Sequence, residues 1–302
     1  MKRANTESSS KEVALFSHLE IPKELNTSLA PKEVHPAVLV LGLQFAEFKI
    51  CGANAHYKTP AGYTLSRHLP THLSPQIKYL VKARPLSVGM GNAIRYLKLE
   101  ISTMNIDISD DEAKIALCDK IDNFIRDRIT VADTMIVEYG LQKIQDGKRL
   151  LNKLVNVGIN CTYAFLHALG FVLKDVSKVF LGANAFMSNG TLYSRVGTAL
   201  VAMMAKGKDI PVIVCCETYK FTDKVQLDSF VTNEQARPDE LINTSTCSIP
   251  KSGSLSDWLQ KPDLKLLNIL YDLTPSKYIT TVITEVGMIP CTSVPVILRE
   301  IK

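Results

Sequence analysis

Residues 179–198 read VFLGANAFMSNGTLYSRVGT and carry the strongest signal of the fold; we call them the 179–198 segment. It opens with a short apolar, β-branched run, passes through a polar segment around Asn189 and Gly190, and continues through Ser194 to Gly197 and Thr198. This order predicts the end of a buried strand, a turn and the start of a helix, with small residues where the backbone passes close to a neighbour.

Beyond this segment, apolar runs that are typical of strands continue to alternate with helix signals. Thr274, Pro275 and Gly287 are typical of the cap, first turn and end of a helix, which we place between the third and fourth strands. Continuous apolar strands alternating with helices predict a parallel sheet covered on both faces, and hence an α/β fold. The predicted strands are at residues 178–181, 211–215, 266–271 and 294–298.

The first half of the chain carries helical signals instead. Apolar residues recur every three or four positions from Ile115 to Ile136, which predicts a long helix from Ser109 to near Gly140 or Gly147. Pro36 suits the first turn of an earlier helix. Prolines between residues 54 and 75 are expected to break any helix longer than two turns. We therefore predict a flexible segment at 1–30, a helical domain at 31–146 and an α/β domain at 147–302.

Composition excludes several classes of function. The 302 residues carry a net charge of only +5, with acids and bases interleaved, so no nucleic-acid surface is expected. No run of about 20 apolar residues predicts a membrane span, and the N-terminus does not resemble a secretory signal. Seven scattered cysteines indicate reduced thiols and a cytosolic protein.

No cofactor or metal is predicted. The glycine-rich loops that bind nucleotides are absent, and Gly89–Asn92 fits a loop or a close helix contact better. His68 and His72 are four residues apart, but Pro70 between them spoils a helical metal-ligand pair. A phosphate could bind at the predicted helix start within residues 189–198, although an ordinary turn explains these residues as well.

Longer blocks carry a resemblance. Residues 176–221, 226–234, 267–275 and 283–299 resemble the regulatory subunits of eukaryotic translation initiation factor 2B, and CCETYKF (residues 215–221) and GMIPCTSVPVILR (287–299) are typical of the delta type. The blocks HPAVLVLGLQFA and KARPLSVGMGNAI resemble the helical half of the same subunit. The resemblance implies a helical domain followed by a Rossmann-like α/β domain.

The same family is related to methylthioribose-1-phosphate and ribose-1,5-bisphosphate isomerases, which use a cysteine and an aspartate. The matching pattern here is Gly182–Ala183–Asn184 followed by Asn189 and Gly190. Asn184 cannot ionise, so it cannot act as a general acid or base, and we expect a degenerate isomerase site. The resemblance thus implies a non-catalytic subunit, with a sugar-phosphate isomerase and a metabolite-binding module as alternatives.

The resemblance also implies partners. These are the other initiation factor 2B subunits, the beta type most directly and also alpha, gamma and epsilon, together with initiation factor 2 carrying a phosphorylated alpha subunit. Neither nucleic acid nor a membrane is expected as a direct partner. Positions that match the family's interface and regulatory pocket are apolar here, which fits an interface and a core equally well. They are Leu39, Leu41, Phe230, Leu267 and Ile269.

Two departures from the family pattern stand out. A helix is missing after His56, and a strand–helix–strand unit is missing after Gly147, where the isomerases carry their catalytic cysteine. Either the natural protein has residues that this sequence lacks, or this is a shortened form. A shortened form is expected to expose a strand edge, fold weakly and assemble poorly.

Overall fold

The computed structural model describes residues 69–104, 110–141, 155, 158, 160–230, 232–242, 255–261 and 263–301. Within these residues, long helices precede the first strand, which confirms the predicted order of a helical half and an α/β half. The boundaries proposed at residues 30 and 146 and the helix expected after Pro36 lie outside the described part of the chain.

The helical half contains α1 (Leu69–Ala83), α2 (Val88–Thr103), α3 (Asp110–Ile125) and α4 (Val131–Leu141). The five residues Arg126–Thr130 between α3 and α4 form a π-helical segment, so the chain stays helical throughout. The long helix predicted from the apolar spacing is therefore confirmed, with a π-helical segment inside it.

Helix α1 corrects the prediction that prolines limit helices here to two turns. It is 15 residues long and contains Pro75. Pro70 lies in the first turn, where a missing N–H breaks no helical bond, whereas Pro75 removes one. Gln76 and Tyr79 are buried, and this packing of the helix offsets the lost hydrogen bond.

The first sheet contains four strands in the order β1 (Val179–Gly182), β4 (Val212–Cys215), β7 (Thr281–Thr284) and β8 (Gly287–Ile289). The first three are parallel, and β8 is antiparallel to β7. β1 and β4 fall where strands are predicted. β7 and β8 replace the helix predicted from Pro275 to Gly287. That prediction is wrong because the β-branched residues of β7 are buried between β4 and β8, and only Ser276–Tyr278 forms a short 3-10 turn.

The second sheet contains two strands from the 179–198 segment. β2 (Ala185–Met187) and β3 (Leu192–Arg195) form a hairpin and pair with β5 (Phe221–Thr222) and β6 (Tyr271–Thr274). The helix start predicted near Ser194 is therefore wrong. A hairpin occupies residues 185–195, and the next helix begins only at Thr198. The strand predicted at 266–271 is shifted toward β6, with only an isolated bridge from Ile269 to Gln235 before it.

Helices cover the first sheet on both faces. The short α5 (Leu169–Val172) precedes β1, and α6 (Thr198–Lys206) packs on one face through Ala202 and Ala205. On the other face, Ile136 of α4 packs on Ile213 and Ile283.

The last predicted strand, at 294–298, is instead the helix α7 (Val294–Ile301). Val294, Ile297 and Leu298 have helical spacing and meet the main core around Phe186 and Phe221.

Candidate functional site

The carboxyl ends of β1, β4 and β7 meet at one edge of the sheet, where α/β proteins usually bind ligands. The polar residues that follow these strands are Asn184 after β1, Glu217 after β4 and Glu285 after β7. This edge is therefore the first place to look for a site.

Both glutamates at this edge have partners within the chain. Buried Glu217 forms an ion pair of 2.6 Å with Lys220, which is also buried. Glu285 accepts a hydrogen bond of 3.0 Å from the backbone N–H of Thr218 and another from the Thr218 hydroxyl. Neither carboxylate is left open for a cation, and among the described residues no group of three or more acidic, histidine or cysteine side chains could hold a metal.

Asp133 of α4 joins this cluster from the helical half. Burial first, and then the charge and hydrogen bond of Glu217, together raise the pKa of Asp133 to about 6. Sequence reasoning missed this cluster, although two of its acids could have been found, since Glu217 and Glu285 directly follow apolar parallel strands.

The predicted degenerate isomerase residues are not brought together. Asn184 is partly buried, and its backbone N–H donates to the carbonyl of Tyr193 at 3.0 Å. Asn189 and Gly190 lie at the opposite end of β2, roughly 10 Å or more along the strand.

Asn189 and Gly190 have structural contacts. The Asn189 side chain donates to the carbonyl of Gln226 at 3.0 Å. Gly190 has φ +78°, and a Cβ there would approach Cys291 and Ser276 at 3.2–3.3 Å. These two residues shape a hairpin turn and the loop beside it.

The N-terminus of α6 is the place where a phosphate was considered. There the Asp272 carboxylate accepts hydrogen bonds from the backbone N–H groups of Gly197, at 2.6 Å, and Ala199, at 3.1 Å. The protein's own carboxylate thus occupies the position that a bound anion would take.

Among the interface candidates, Leu267 and Ile269 are partly buried in a segment that pairs with residues 234–236. The N–H of Ala236 donates to Asn268 at 2.8 Å, and that of Leu270 donates to Glu234 at 2.9 Å. Phe230 lies four residues before this pairing and is 40% exposed. Leu39 and Leu41 lie outside the described residues.

Phe230 belongs to residues 225–230, which we call the 225–230 loop. Buried Gln226 fixes the loop by donating to the carbonyls of Asp228 and Thr232, both at 2.8 Å. Val225, Leu227 and Phe230 are exposed on it. A hydrogen-bonded loop that presents three apolar side chains is a candidate protein-binding surface.

Side chains of the helical half hold the segments around this loop. Arg84 forms an ion pair of 2.7 Å with Glu234 and donates to the hydroxyl of Tyr271 at 3.1 Å. Asn92 donates to the carbonyl of Tyr219 at 2.7 Å. Of the two alternatives that the sequence left open for Gly89–Asn92, the segment lies in a helix, α2, and not in a loop.

The described cysteines are free thiols. Burial raises the pKa of Cys291 to about 11, and it also raises the pKa of Cys216. Both thiols are therefore protonated at neutral pH and poor nucleophiles. In the described part of the chain, no helix has the length and apolar character needed to cross a membrane.

Comparison with known proteins shows the family to which the chain belongs. The model of the initiation factor 2 subunit family matches residues 53–152 and 145–291. The chain belongs to this family. Its relatives within the initiation factor 2 subunit family include the translation initiation factor eIF2B subunit delta of Schizosaccharomyces pombe, 43% identical over 346 positions, covering 97% of this chain and 74% of that protein. The delta subunit of Dictyostelium discoideum is 38% identical over 356 positions, covering 97% of this chain and 57% of that protein.

Solved structures agree with the family assignment. A chain of the tetrameric eIF2B beta2–delta2 complex from C. thermophilum is 32% identical, with a TM-score of 0.72, over 92% of this chain and 98% of that one. The 5-methylthioribose 1-phosphate isomerase of Pyrococcus horikoshii matches with a TM-score of 0.64 at 18% identity, over 88% of each chain. The expected fold relationship to the isomerases is confirmed, and at this identity it concerns the fold alone.

Proposed function

We propose that this chain is a delta-type regulatory subunit of the exchange factor that reloads translation initiation factor 2 with guanine nucleotide in the cytosol. It contributes to assembly of the complex and to recognition of the phosphorylated alpha subunit of initiation factor 2. The observation that carries the proposal is the 43% identity to a delta subunit over 97% of this chain.

The carboxyl edge of the sheet supports binding rather than catalysis. Asn184 stands where the related isomerases carry an acid, Glu217 is neutralised by Lys220, and the thiols of Cys216 and Cys291 are protonated. The subunit is accordingly not an enzyme, and its activity depends on surfaces that other proteins recognise.

The surface we assign to assembly is the 225–230 loop with Leu267 and Ile269. Leu39 and Leu41, outside the described residues, are candidates for the same role from the family resemblance alone. Its first partner is a beta-type subunit, because a similar chain occurs in a beta2–delta2 tetramer. Alpha, gamma and epsilon subunits complete the assembly. Exposed apolar side chains on a fixed loop suit such a contact, since little conformational entropy is lost when they are buried.

Co-expression with a beta-type subunit tests this proposal. We expect the pair to co-purify, and Phe230→Asp to reduce the recovered partner at least roughly tenfold, because a charge replaces an apolar anchor. Met203→Asp is the matched control, since Met203 is similarly exposed but lies on α6. Failure of the unaltered chain to bind any beta-type subunit, although it unfolds cooperatively, would exclude the delta assignment, and equal loss in both variants would exclude the proposed surface.

Isomerase activity is the competing function, and it can be tested on the same preparation. Neither the unaltered chain nor Asn184→Asp is expected to turn over ribose 1,5-bisphosphate or methylthioribose 1-phosphate. Turnover that increases in Asn184→Asp would instead support an enzyme.

A further inference from the structure

The 225–230 loop is held at both ends by side chains of the helical half. Before the loop, the Asn92 amide of α2 donates to the carbonyl of Phe221 at 3.1 Å. After the loop, Arg84, which directly follows α1, forms an ion pair of 2.7 Å with Glu234. Two side chains of the helical half thus reach the chain on either side of one exposed loop.

Arg84 makes a second contact that fixes its guanidinium. It donates to the hydroxyl of Tyr271 in β6 at 3.1 Å, and the Tyr271 ring stacks on that of Tyr193 in β3 with 4.8 Å between the ring centroids. The Arg84 side chain is 10% exposed and that of Glu234 is 17% exposed, so water screens this ion pair less than one at the surface. The guanidinium therefore holds Glu234 against the second sheet.

Asn233 extends this fixed point into the loop. Its side-chain oxygen accepts a hydrogen bond of 2.8 Å from the backbone N–H of Glu234, and its amide donates to the carbonyl of Ser229 at 3.2 Å. Asn233 is buried, so breaking these bonds would leave polar groups unpaired away from water. Because Ser229 directly precedes Phe230, a hydrogen-bonded path runs from Arg84 to the base of that side chain.

The exposed side chains of the loop contribute little to its order. Leu227 is 86% exposed and Phe230 is 40% exposed. The bonds of Gln226 fix the shape of the loop, and Asn189 holds Gln226 from the hairpin. The placement of the two ends of the loop depends in addition on the helical half. A loop that is held in place before binding loses less entropy when a partner covers it.

We propose that Arg84 and Asn92 are positioning residues for subunit assembly. They belong to the helical half and lie outside the 225–230 loop, but they hold its ends in the arrangement that a beta-type subunit recognises. This inference rests on the proposed function of the loop. Without either tether, the loop would sample other positions, and the need to order it on binding would lower the affinity.

Amide exchange on the chain alone tests whether the tether at Arg84 orders the loop. Arg84→Met removes the guanidinium and keeps an extended apolar side chain. We expect the hydrogen-bonded N–H groups of Phe230 and Leu270 to exchange roughly tenfold faster or more, and those of α6 to stay unchanged. Lys120→Met is the matched control, because it breaks an ion pair with Glu100 inside the helical half and should change neither site. Exchange that does not accelerate in Arg84→Met, or that accelerates equally in the control, would overturn the proposal.

Titration with a beta-type subunit tests what the tethers do for binding. Arg84→Met and Asn92→Ala should each weaken the affinity roughly tenfold, whereas Lys120→Met should leave it unchanged. In a Phe230→Ala background, where the apolar anchor is already lost, Arg84→Met should lower the affinity by no more than about twofold. General destabilisation would instead weaken binding by the same factor in both backgrounds. That result, or an unchanged affinity in Arg84→Met, would overturn the proposal.

Asn92→Ala leaves no unpaired charge in the folded chain, so it provides the test if Arg84→Met does not fold. An affinity in Asn92→Ala equal to that of the unaltered chain would overturn the positioning role of Asn92. If the unaltered chain binds no beta-type subunit, the proposed function fails, and the amide exchange still decides whether the tethers order the loop.

Discussion

Asp272 in β6 accepts a hydrogen bond of 2.6 Å from the backbone N–H of Gly197, although the two residues are 75 positions apart. The same carboxylate accepts a bond from Ala199, so one side chain caps α6 and fixes it against the second sheet. The 179–198 segment thus ends at the start of α6, and that start is capped by a residue of β6, far along the chain.

Asp272→Ala should destabilise the protein by about 1–3 kcal/mol, because two N–H groups at the start of α6 lose a charged acceptor. Urea unfolding measures this loss. Asp175→Ala, at an exposed loop position, is the control and should change the free energy of unfolding by less than about 0.5 kcal/mol. A loss no larger than that of the control would show that water replaces the cap without cost.

Gly197→Ala should destabilise by about 1 kcal/mol or more. Gly197 has φ +98°, which side-chain-bearing residues rarely adopt, and a Cβ there would also collide with the Leu166 side chain. Gly91→Ala is the matched control, because Gly91 lies in α2 with open space around its Cβ position, and it should be neutral or stabilising. Thermal unfolding compares the two, and equal losses would contradict the argument from backbone conformation.

Lys220→Met should be strongly destabilising, by about 3–5 kcal/mol, because it leaves the buried Glu217 carboxylate without its cation. The double variant Glu217→Gln/Lys220→Met removes both charges and should recover part of the loss. A double variant that is as unstable as the sum of the two single variants would show that the ion pair contributes no coupling.

The raised pKa of Asp133 predicts that the free energy of unfolding depends on pH. Its folded pKa is raised to about 6, above the ordinary value of 3.8, so the folded state binds the proton more tightly than the unfolded state. The stabilisation is therefore complete below about pH 4 and is lost as the pH rises toward 6. Asp133 as a whole is exposed, and solvent screening keeps the effect small.

Asp133→Asn should remove this dependence, because the amide stays neutral while it can still donate to Glu217. Thermal unfolding between pH 4 and 7.5 measures the difference. The Tm of the unaltered chain should fall relative to that of Asp133→Asn up to about pH 6, and the difference should then stay constant. Parallel curves over the whole range would contradict the raised pKa.

Sequence reasoning succeeded where local periodicity and burial agree. The helical spacing from Ile115 to Ile136 gave α3 and α4, and the apolar runs gave β1 and β4. It failed at β7, where the cap-like residues Thr274 and Pro275 suggested a helix although burial between two strands favours a strand. It failed at α7 because Val294–Leu298 is both a β-branched run and a helical stripe.

The candidate site shows the same division. The family resemblance predicts from the sequence that Asn184 is an amide in place of an acid. The approach of Asp133 to Glu217 and the capping of α6 by Asp272 could not be recognised, since each joins residues from different elements. Glu217 and Lys220 are only three positions apart, but the burial of their ion pair depends on the folded chain.

The family and the order of a helical and an α/β half could be predicted from the sequence, because these depend on residue identity and local pattern. The resemblance to the isomerases adds the prediction that Asn184 stands in place of an acid. The hairpin that residues 185–195 form before the helix α6, and the capping of that helix by Asp272, became visible only in the folded structure. Strand pairing and capping join residues far apart in the chain, and such contacts exist only once the chain has folded.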